Sequence, residues 1–213
     1  KLAKKYGIKR RIIHSHNSKN MDGKLRGYLH AYNKKRIQKY ATDFWACSTV
    51  AAEWMYPTSV KYQIIRNAIN IQNTHFDKDK RESIRKKMNL SDAFVIGHVG
   101  RLDFKKNQKF ILKLFPKIKR QIPNAKVIFV GVGEDKEELL STIKELNLQH
   151  DVFLVGAQTD MTAWYSAFDM LLFPSLFEGL SVALLEAQAN GLPILASDRV
   201  SPKEIEVNNN INF

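Results

Sequence analysis

From Ala93 onward, short apolar runs alternate with longer segments whose apolar residues recur every three or four positions. AFVIGHVG (93–100), AKVIFVG (125–131), DVFLVG (151–156), DMLLFP (169–174) and LPILAS (192–197) read as strands, being short and apolar at successive positions. NQKFILKLFPKIKRQ (107–121), EDKEELLSTIKELN (134–147), MTAWYSAF (161–168) and LSVALLEAQANG (180–191) carry helical spacing, the last closed by Gly191. Strands apolar on both faces need cover on both sides, so five strands joined by four helices predict a parallel sheet between helical layers. The fold class is α/β with a Rossmann-like sheet. Ligands of such sheets sit beyond the carboxyl ends of the strands. That points to the loops GRLDFKKN (100–107), GVGED (131–135), GAQTD (156–160) and PSLFEGL (174–180).

The first ninety residues are less complete. RRIIHSHN (10–17) reads as a strand entering a polar loop, LRGYLHAYNKKRIQKY (25–40) as a helix and DFWACS (43–48) as a strand. TVAAEWMY (49–56) reads as a helix and VKYQIIRN (60–67) as a third strand. Three strands and two full helices are too little for an independent sheet. Residues 1–66 are therefore expected to be the end of a second, partial α/β domain, with 67–213 forming a linker and the Rossmann-like domain. NAINIQNTHFDKDK (67–80) reads as the connection and RESIRKKMNL (81–90) as a helix. The chain begins without Met, and NNNINF (208–213) shows no helix or strand pattern, so a fragment truncated at its C-terminus is expected.

Composition narrows the class. Of 213 residues, 44% are apolar, enough for a folded core and against a disordered tail. Cys47 is the single cysteine, so no internal disulfide forms and a reducing compartment is expected. No apolar run reaches the roughly 18 residues of a membrane span, and KLAKKYGIKR lacks a signal-peptide core. The expected location is the cytoplasm, including the inner face of the cell membrane. The net charge of +13 sits at one end: residues 1–40 hold thirteen Lys or Arg and one acid, Asp22. Such an arm suits anionic lipid headgroups, a phosphorylated ligand or nucleic acid, and equally a solvated face. Tyr6, Tyr28, Tyr32 and Tyr40 form no obvious stacking platform, and no nucleic-acid partner is expected. No Asp-x-Asp or clustered His/Cys set is read as a metal site, in agreement with the expectation of no metal and no other cofactor.

Within FEGLSVALLEAQANGLP (177–193) two carboxylates, Glu178 and Glu186, stand eight positions apart in an apolar run. On one helix they would lie roughly 12 Å apart along the axis. That is too far to share a proton, and beyond the roughly 5 to 9.5 Å separating the paired carboxylates of sugar hydrolases. It fits the two ends of a nucleotide sugar, with backbone N–H groups near Gly179, Leu180 and Ser181 facing a diphosphate between them. The plain alternative is that Glu178 complements the helix start and Glu186 is a surface residue. In VGRLDFKKN (99–107), Arg101 and Lys106 follow the first strand and are placed to act as diphosphate cations.

In this order, VGRL…KKN, VGVGED, FLVG and FPSLFEGLSVALLEAQANGLPILASD resemble the C-terminal domain of GT-B glycosyltransferases of retaining family 4, most of all those building bacterial capsular or exopolysaccharides. HSHNS (14–18), ATDFWACS (41–48) and IIRNAI (64–69) resemble the end of that family's N-terminal domain. The resemblance implies a nucleotide-sugar donor, most often a UDP-sugar, and a glycan or lipid-linked saccharide acceptor. It implies that Glu178 contacts the donor sugar, Glu186 the ribose hydroxyls, Arg101 and Lys106 the diphosphate, and the 155–158 loop the base. Gly100, Gly156, Gly179, Leu180 and Ser181 fall in the same donor-binding set. His16 is similar to a histidine facing the sugar from the other domain, with His14 as the alternative two positions away. Ser181 departs from the glycine of many relatives, which puts the phosphate approach in question. The implied reaction is transfer with retention and without a metal, and a fragment is expected to bind donor without turnover. A nucleotide-sugar epimerase of the same fold and a basic nucleic-acid-binding module are the alternatives.

Overall fold

The computed structural model describes residues 1–19, 24–200 and 202–213. In the first unit, α1 (Leu2–Lys5) leads to β1 (Ile12–Ser15), α2 (Lys24–Lys34), a 3₁₀ turn (Ile37–Lys39), β2 (Asp43–Ala46), α3 (Thr49–Met55) and β3 (Gln63–Ile64). A second 3₁₀ turn (Ile71–Asn73) and α4 (Lys78–Lys87) connect to the larger unit. There β4 (Phe94–Val99), α5 (Gln108–Gln121), β5 (Ala125–Val130), α6 (Lys136–Glu145), β6 (Val152–Gly156), α7 (Met161–Ala167) and β7 (Met170–Phe173) follow. The chain closes with α8 (Val182–Ala189), β8 (Ile194–Ala196), α9 (Pro202–Ile205) and β9 (Ile211–Asn212). Both sheets are parallel throughout, ordered β1-β2-β3 and β6-β5-β4-β7-β8-β9.

Alternation along the central strands feeds two apolar layers. Ile96 of β4 with Val127 and Phe129 of β5 packs under α5 and α6, against Ile111, Leu112, Phe115, Leu139 and Ile143. Val95, Ile128 and Val130 face the opposite way, toward Trp164, Tyr165, Leu184 and Ala187 of α7 and α8. The second layer continues into Ala46, Cys47, Ala51 and Ala52 of the first unit, so the two sheets share apolar contacts. The burial of both strand faces is the physical content of the unbroken apolar runs.

The connecting helix α4 is locked by charge. Asp77 caps it, its carboxylate accepting from Lys80 N at 2.9 Å. Arg81 and Arg85 then turn inward to Asp169, at 2.5 and 3.0 Å, while Val95 N donates to the same carboxylate at 2.7 Å. Burial favours a neutral Asp169, but the Val95 N–H and both guanidinium groups outweigh it and hold the carboxyl below its usual range.

Three expectations from the sequence need correction. The helix over 25–40 ends at Lys34, where Lys34, Lys35 and Arg36 crowd three cations together and Lys34 Nζ bonds to the Glu53 and Trp54 carbonyls at 2.6 and 2.9 Å. The strand over 60–67 shrinks to Gln63–Ile64, because a turn from Val60 N to Pro57 O precedes it. NNNINF, which shows no pattern, supplies β9. Ile194 N donates to Asn210 O, Ile211 is buried, and Asn208 and Asn210 bond to Gln188 and Leu192 carbonyls. Side-chain amides rather than an apolar run order this segment. The polar loop after β1 lies partly in residues 20–23, outside the described residues.

His98, in the middle of β4, is fully buried. Its Nδ1 lies 2.9 Å from the Leu172 carbonyl and its Nε2 3.2 Å from Gln108 Nε2. A carbonyl only accepts, so Nδ1 carries the proton and Nε2 accepts from the amide. Burial, with a smaller effect of the Lys106 charge, pushes the ring down to about 4. The unfolded chain takes up this proton near pH 6.5, before the folded one does, so stability is complete above that pH and falls as pH drops toward 4. The expected loss is about 3 kcal/mol. Urea denaturation across that window measures it, and His98→Asn is expected to flatten this part of the slope; an unchanged slope in the variant contradicts the assignment.

Candidate functional site

The strand order reverses between β4 and β7. Chain from β4 runs outward to β5 and β6, then returns across the sheet to β7 on the other side. The loops leaving these two strands, 100–107 and 174–181, therefore open side by side, which is where open α/β sheets form a crevice. Leu176 N donates to Lys105 O at 2.8 Å and Asn107 Nδ2 to Pro174 O at 3.2 Å, joining the loops directly.

Two lysines meet one glutamate there. Lys106 Nζ lies 2.9 Å from Glu178 Oε1, and Lys105 Nζ lies 3.0 Å from Glu178 Oε2. The three side chains are only 12%, 13% and 6% exposed. Each ammonium also faces an aromatic ring, Lys106 over Phe173 at 4.5 Å and Lys105 over Phe177 at 5.6 Å. Asp103, itself buried, holds the turn by accepting from Lys106 N at 3.1 Å. Burial by itself would raise the Glu178 carboxyl, but the two ammonium groups reverse this and hold it below its usual range. Burial lowers the Lys106 ammonium. Gly100 makes room for the lysine stem, since a Cβ there would stand 2.8 Å from Lys106 Cε.

The first unit closes one side of this crevice. A Cβ on Gly179 would lie 2.4 Å from the His16 carbonyl oxygen and 3.0 Å from Cys47 Sγ, so the glycine permits close contact between the units. Asn67 Nδ2 donates to Leu180 O at 2.7 Å, and Lys105 Nζ reaches Asn17 Oδ1 at 3.5 Å. His16 is exposed, at the end of β1; desolvation and then the neighbouring His14 lower its pKa. The two imidazoles are 4.1 Å apart, and His14 is turned back toward Ile65 O at 3.2 Å. His16 is the more exposed of the two rings and has Asn67, which also bonds Leu180 O, as its side-chain partner.

Glu186 lies on α8, beyond the loop that carries Glu178. It lines a cleft of about 560 Å³ together with Asn73, Thr74, Asp160 and Thr162. Tyr165 Oη donates to Glu186 Oε2 at 2.9 Å, and burial followed by the Glu186 charge raises the phenol well above its ordinary pKa. Ser181 precedes α8 and makes no side-chain bond to its first turn, unlike Ser48 at α3 and Asp160 at α7. Gly156 ends β6 with φ +74° and open space beside it.

Arg101 stands apart from these groups. Its side chain is 63% exposed and bonds Glu134 Oε2 at 2.7 Å instead of turning toward Glu178. The sequence also holds an Asp-x-Asp, Asp77 to Asp79, whose first member is spent on the α4 cap. Three residues at the site went unassigned from the sequence: Lys105, Asn17 and Tyr165. The doubled lysine in KKN was the available signal for Lys105. Asn17 lies in HSHNS, which stood out only as a segment, and nothing local marked Tyr165; their partners lie 88 and 21 positions away.

Residues 79–213 match the family described as glycosyl transferases group 1, and the chain belongs to that family. EpsF of Bacillus subtilis is 29% identical over 205 residues, covering 92% of this chain and 53% of EpsF. The Campylobacter jejuni N-acetylgalactosamine-N,N'-diacetylbacillosaminyl-diphospho-undecaprenol 4-alpha-N-acetylgalactosaminyltransferase is 33% identical over 141 residues, 66% of this chain and 36% of that protein. The chain thus spans about half or less of the length of these curated relatives. The crystal structure of Anabaena HepE in complex with UDP and glucose superposes with a TM-score of 0.77 at 19% identity, over 91% of this chain and 54% of HepE. The shared fold is GT-B.

Proposed function

We propose that this chain forms the donor side of a retaining family 4 glycosyltransferase, which moves a sugar from a UDP-sugar to a hydroxyl of a glycan or lipid-linked saccharide in cell-surface polysaccharide synthesis. The observation that carries this reading is the Lys105–Glu178–Lys106 group at the strand-order reversal, bordered by His16 of the first unit and followed one helix later by Glu186 in its cleft. The donor and acceptor classes draw on the HepE complex with UDP and glucose and on the diphospho-undecaprenol named for the Campylobacter enzyme.

In this reading the ribose hydroxyls donate to Glu186, whose orientation Tyr165 fixes. The diphosphate takes up Lys106, which leaves Glu178 Oε1 open to accept from the sugar hydroxyls while Lys105 stays on Oε2. The acceptor hydroxyl attacks the anomeric carbon on the face from which the diphosphate departs, and its proton passes to the leaving phosphate oxygen. Cations already in place at a partly desolvated site need no reorganisation as that negative charge grows. Arg101 joins them by exchanging Glu134, a solvent-screened partner that is easily given up.

Calorimetric titration with UDP, GDP and ADP tests the reading. Saturable binding is expected for UDP in preference to the other two, and Glu186→Ala is expected to weaken it by roughly tenfold or more, the worth of a charged hydrogen bond. No binding by any of the three, or an unaffected variant, would contradict it.

A further inference from the structure

Glu178 carries a single charge yet meets two cations, one on each oxygen: Lys106 on Oε1 and Lys105 on Oε2, both nearly enclosed. One ammonium already neutralises the carboxylate. A second cation taken out of water beside the first adds desolvation and repulsion that folding does not require. Lys105 Nζ also faces the Phe177 ring at 5.6 Å and lies 3.5 Å from Asn17 Oδ1, both neutral groups. Asp103, the other buried acid of this loop, accepts from the Lys106 main-chain N–H and lies 4.0 Å from Arg101 Nε, so it does not stand in for Glu178. The extra lysine therefore calls for a reason outside the resting fold.

Ligand exchange supplies that reason. When Lys106 turns to a diphosphate, Oε1 loses its cation and a second negative group comes toward Glu178. A buried carboxylate deprived of its only partner is the costly outcome of breaking an ion pair. Lys105 prevents that outcome, because its contact is with the other oxygen and does not depend on Lys106. Resting on the donor reading above, we propose that Lys105 is a positioning residue, the cation that keeps Glu178 charged and in place while the diphosphate draws Lys106 away. Lys105 then acts through Glu178 and not on the ligand. Its loss is felt only by ligands that carry phosphate, and only while residue 178 is a carboxylate. A second diphosphate cation has a different signature, since its loss is felt whatever stands at 178.

Affinities for UDP and for uridine, measured by calorimetry on the chain and two variants, separate these roles. Lys105→Met keeps most of the side-chain volume and removes the charge; UDP affinity is expected to fall by roughly tenfold or more, the scale of a buried charge left unpaired. Uridine draws no cation from Glu178, and its affinity is expected to stay the same. Adding Glu178→Gln to Lys105→Met removes the carboxylate that needed the cation. UDP affinity is then expected to return to within about threefold of the unaltered chain, the non-additivity of two residues acting as one. The double variant loses one cation and one acid together, so the charge of the group stays balanced. Far-UV circular dichroism verifies that each variant is folded, and Lys105→Gln replaces Lys105→Met should the latter not fold. UDP affinity indifferent to Lys105→Met, or uridine weakened as much as UDP, overturns the proposal and leaves the donor reading, which Glu186→Ala tests, in place. A double variant as weak as the single one also overturns it and makes Lys105 a cation for the ligand itself. Absence of UDP binding by the unaltered chain overturns both.

Discussion

Replacing Glu178 with alanine is expected to lower folding stability by about 3–5 kcal/mol, the range for removing one partner of a buried ionic group. The carboxylate is the shared partner of two ammonium groups that are only 12% and 13% exposed. Without it, two like charges remain close together and poorly hydrated, with Asp103 as the nearby buried acid. The penalty is expected to shrink as pH rises, because neutralising a lysine then relieves the repulsion; burial already lowers Lys106. In the unaltered protein the sign is the usual one for a depressed carboxyl. Its contribution is complete above the unfolded value near 4.3 and is lost as pH falls through the lower folded value. Urea midpoints at acidic, neutral and alkaline pH measure both effects, and a loss at neutral pH below about 1 kcal/mol, typical of exposed pairs, would show that the group is not buried as described.

Asp169→Ala is expected to have an effect of the same size, about 3–5 kcal/mol, at a residue that does not itself line the Glu186 cleft. Asp169 binds Arg81, Arg85 and the Val95 N–H at once, and the Arg85 side chain is 11% exposed. Removing the carboxylate leaves a buried guanidinium with only carbonyl partners, of Ala167 and Ala93 among others. It also detaches α4 from the strand that leads into the site. Loss of stability is therefore expected to exceed any loss of nucleotide affinity measured below the unfolding transition. A variant that keeps its urea midpoint would contradict the role given to this network.

The large sheet was legible because its signal is redundant. Each strand from β4 to β8 is an apolar run bounded by a helix with clear periodicity, so errors of a residue or two at the ends did not change the topology class. The same reasoning failed at β9, where one buried residue, Ile211, and a set of asparagine amides do the ordering. Chemistry followed the same division. Glu178 and Glu186 stood out as carboxylates in an apolar run, and Lys106 as a cation in a loop after a strand. Arg101 satisfied the same rule, yet the structure turns it to Glu134, because spacing along a loop does not encode side-chain direction. Arg81 and Arg85 lie in a segment that read simply as a helix, and only the distant Asp169 turns them inward.

In the proposed donor site Lys106 and Glu186 serve two ends of one ligand. Binding of UDP and of uridine to the unaltered chain, to Lys106→Met and to Glu186→Ala tests it most directly. Glu186→Ala is expected to weaken both ligands, since both carry the ribose. Lys106→Met is expected to weaken UDP by roughly tenfold or more and to leave uridine unchanged, since uridine carries no phosphate. UDP binding indifferent to both substitutions, or uridine weakened as much as UDP by the loss of Lys106, would contradict the account.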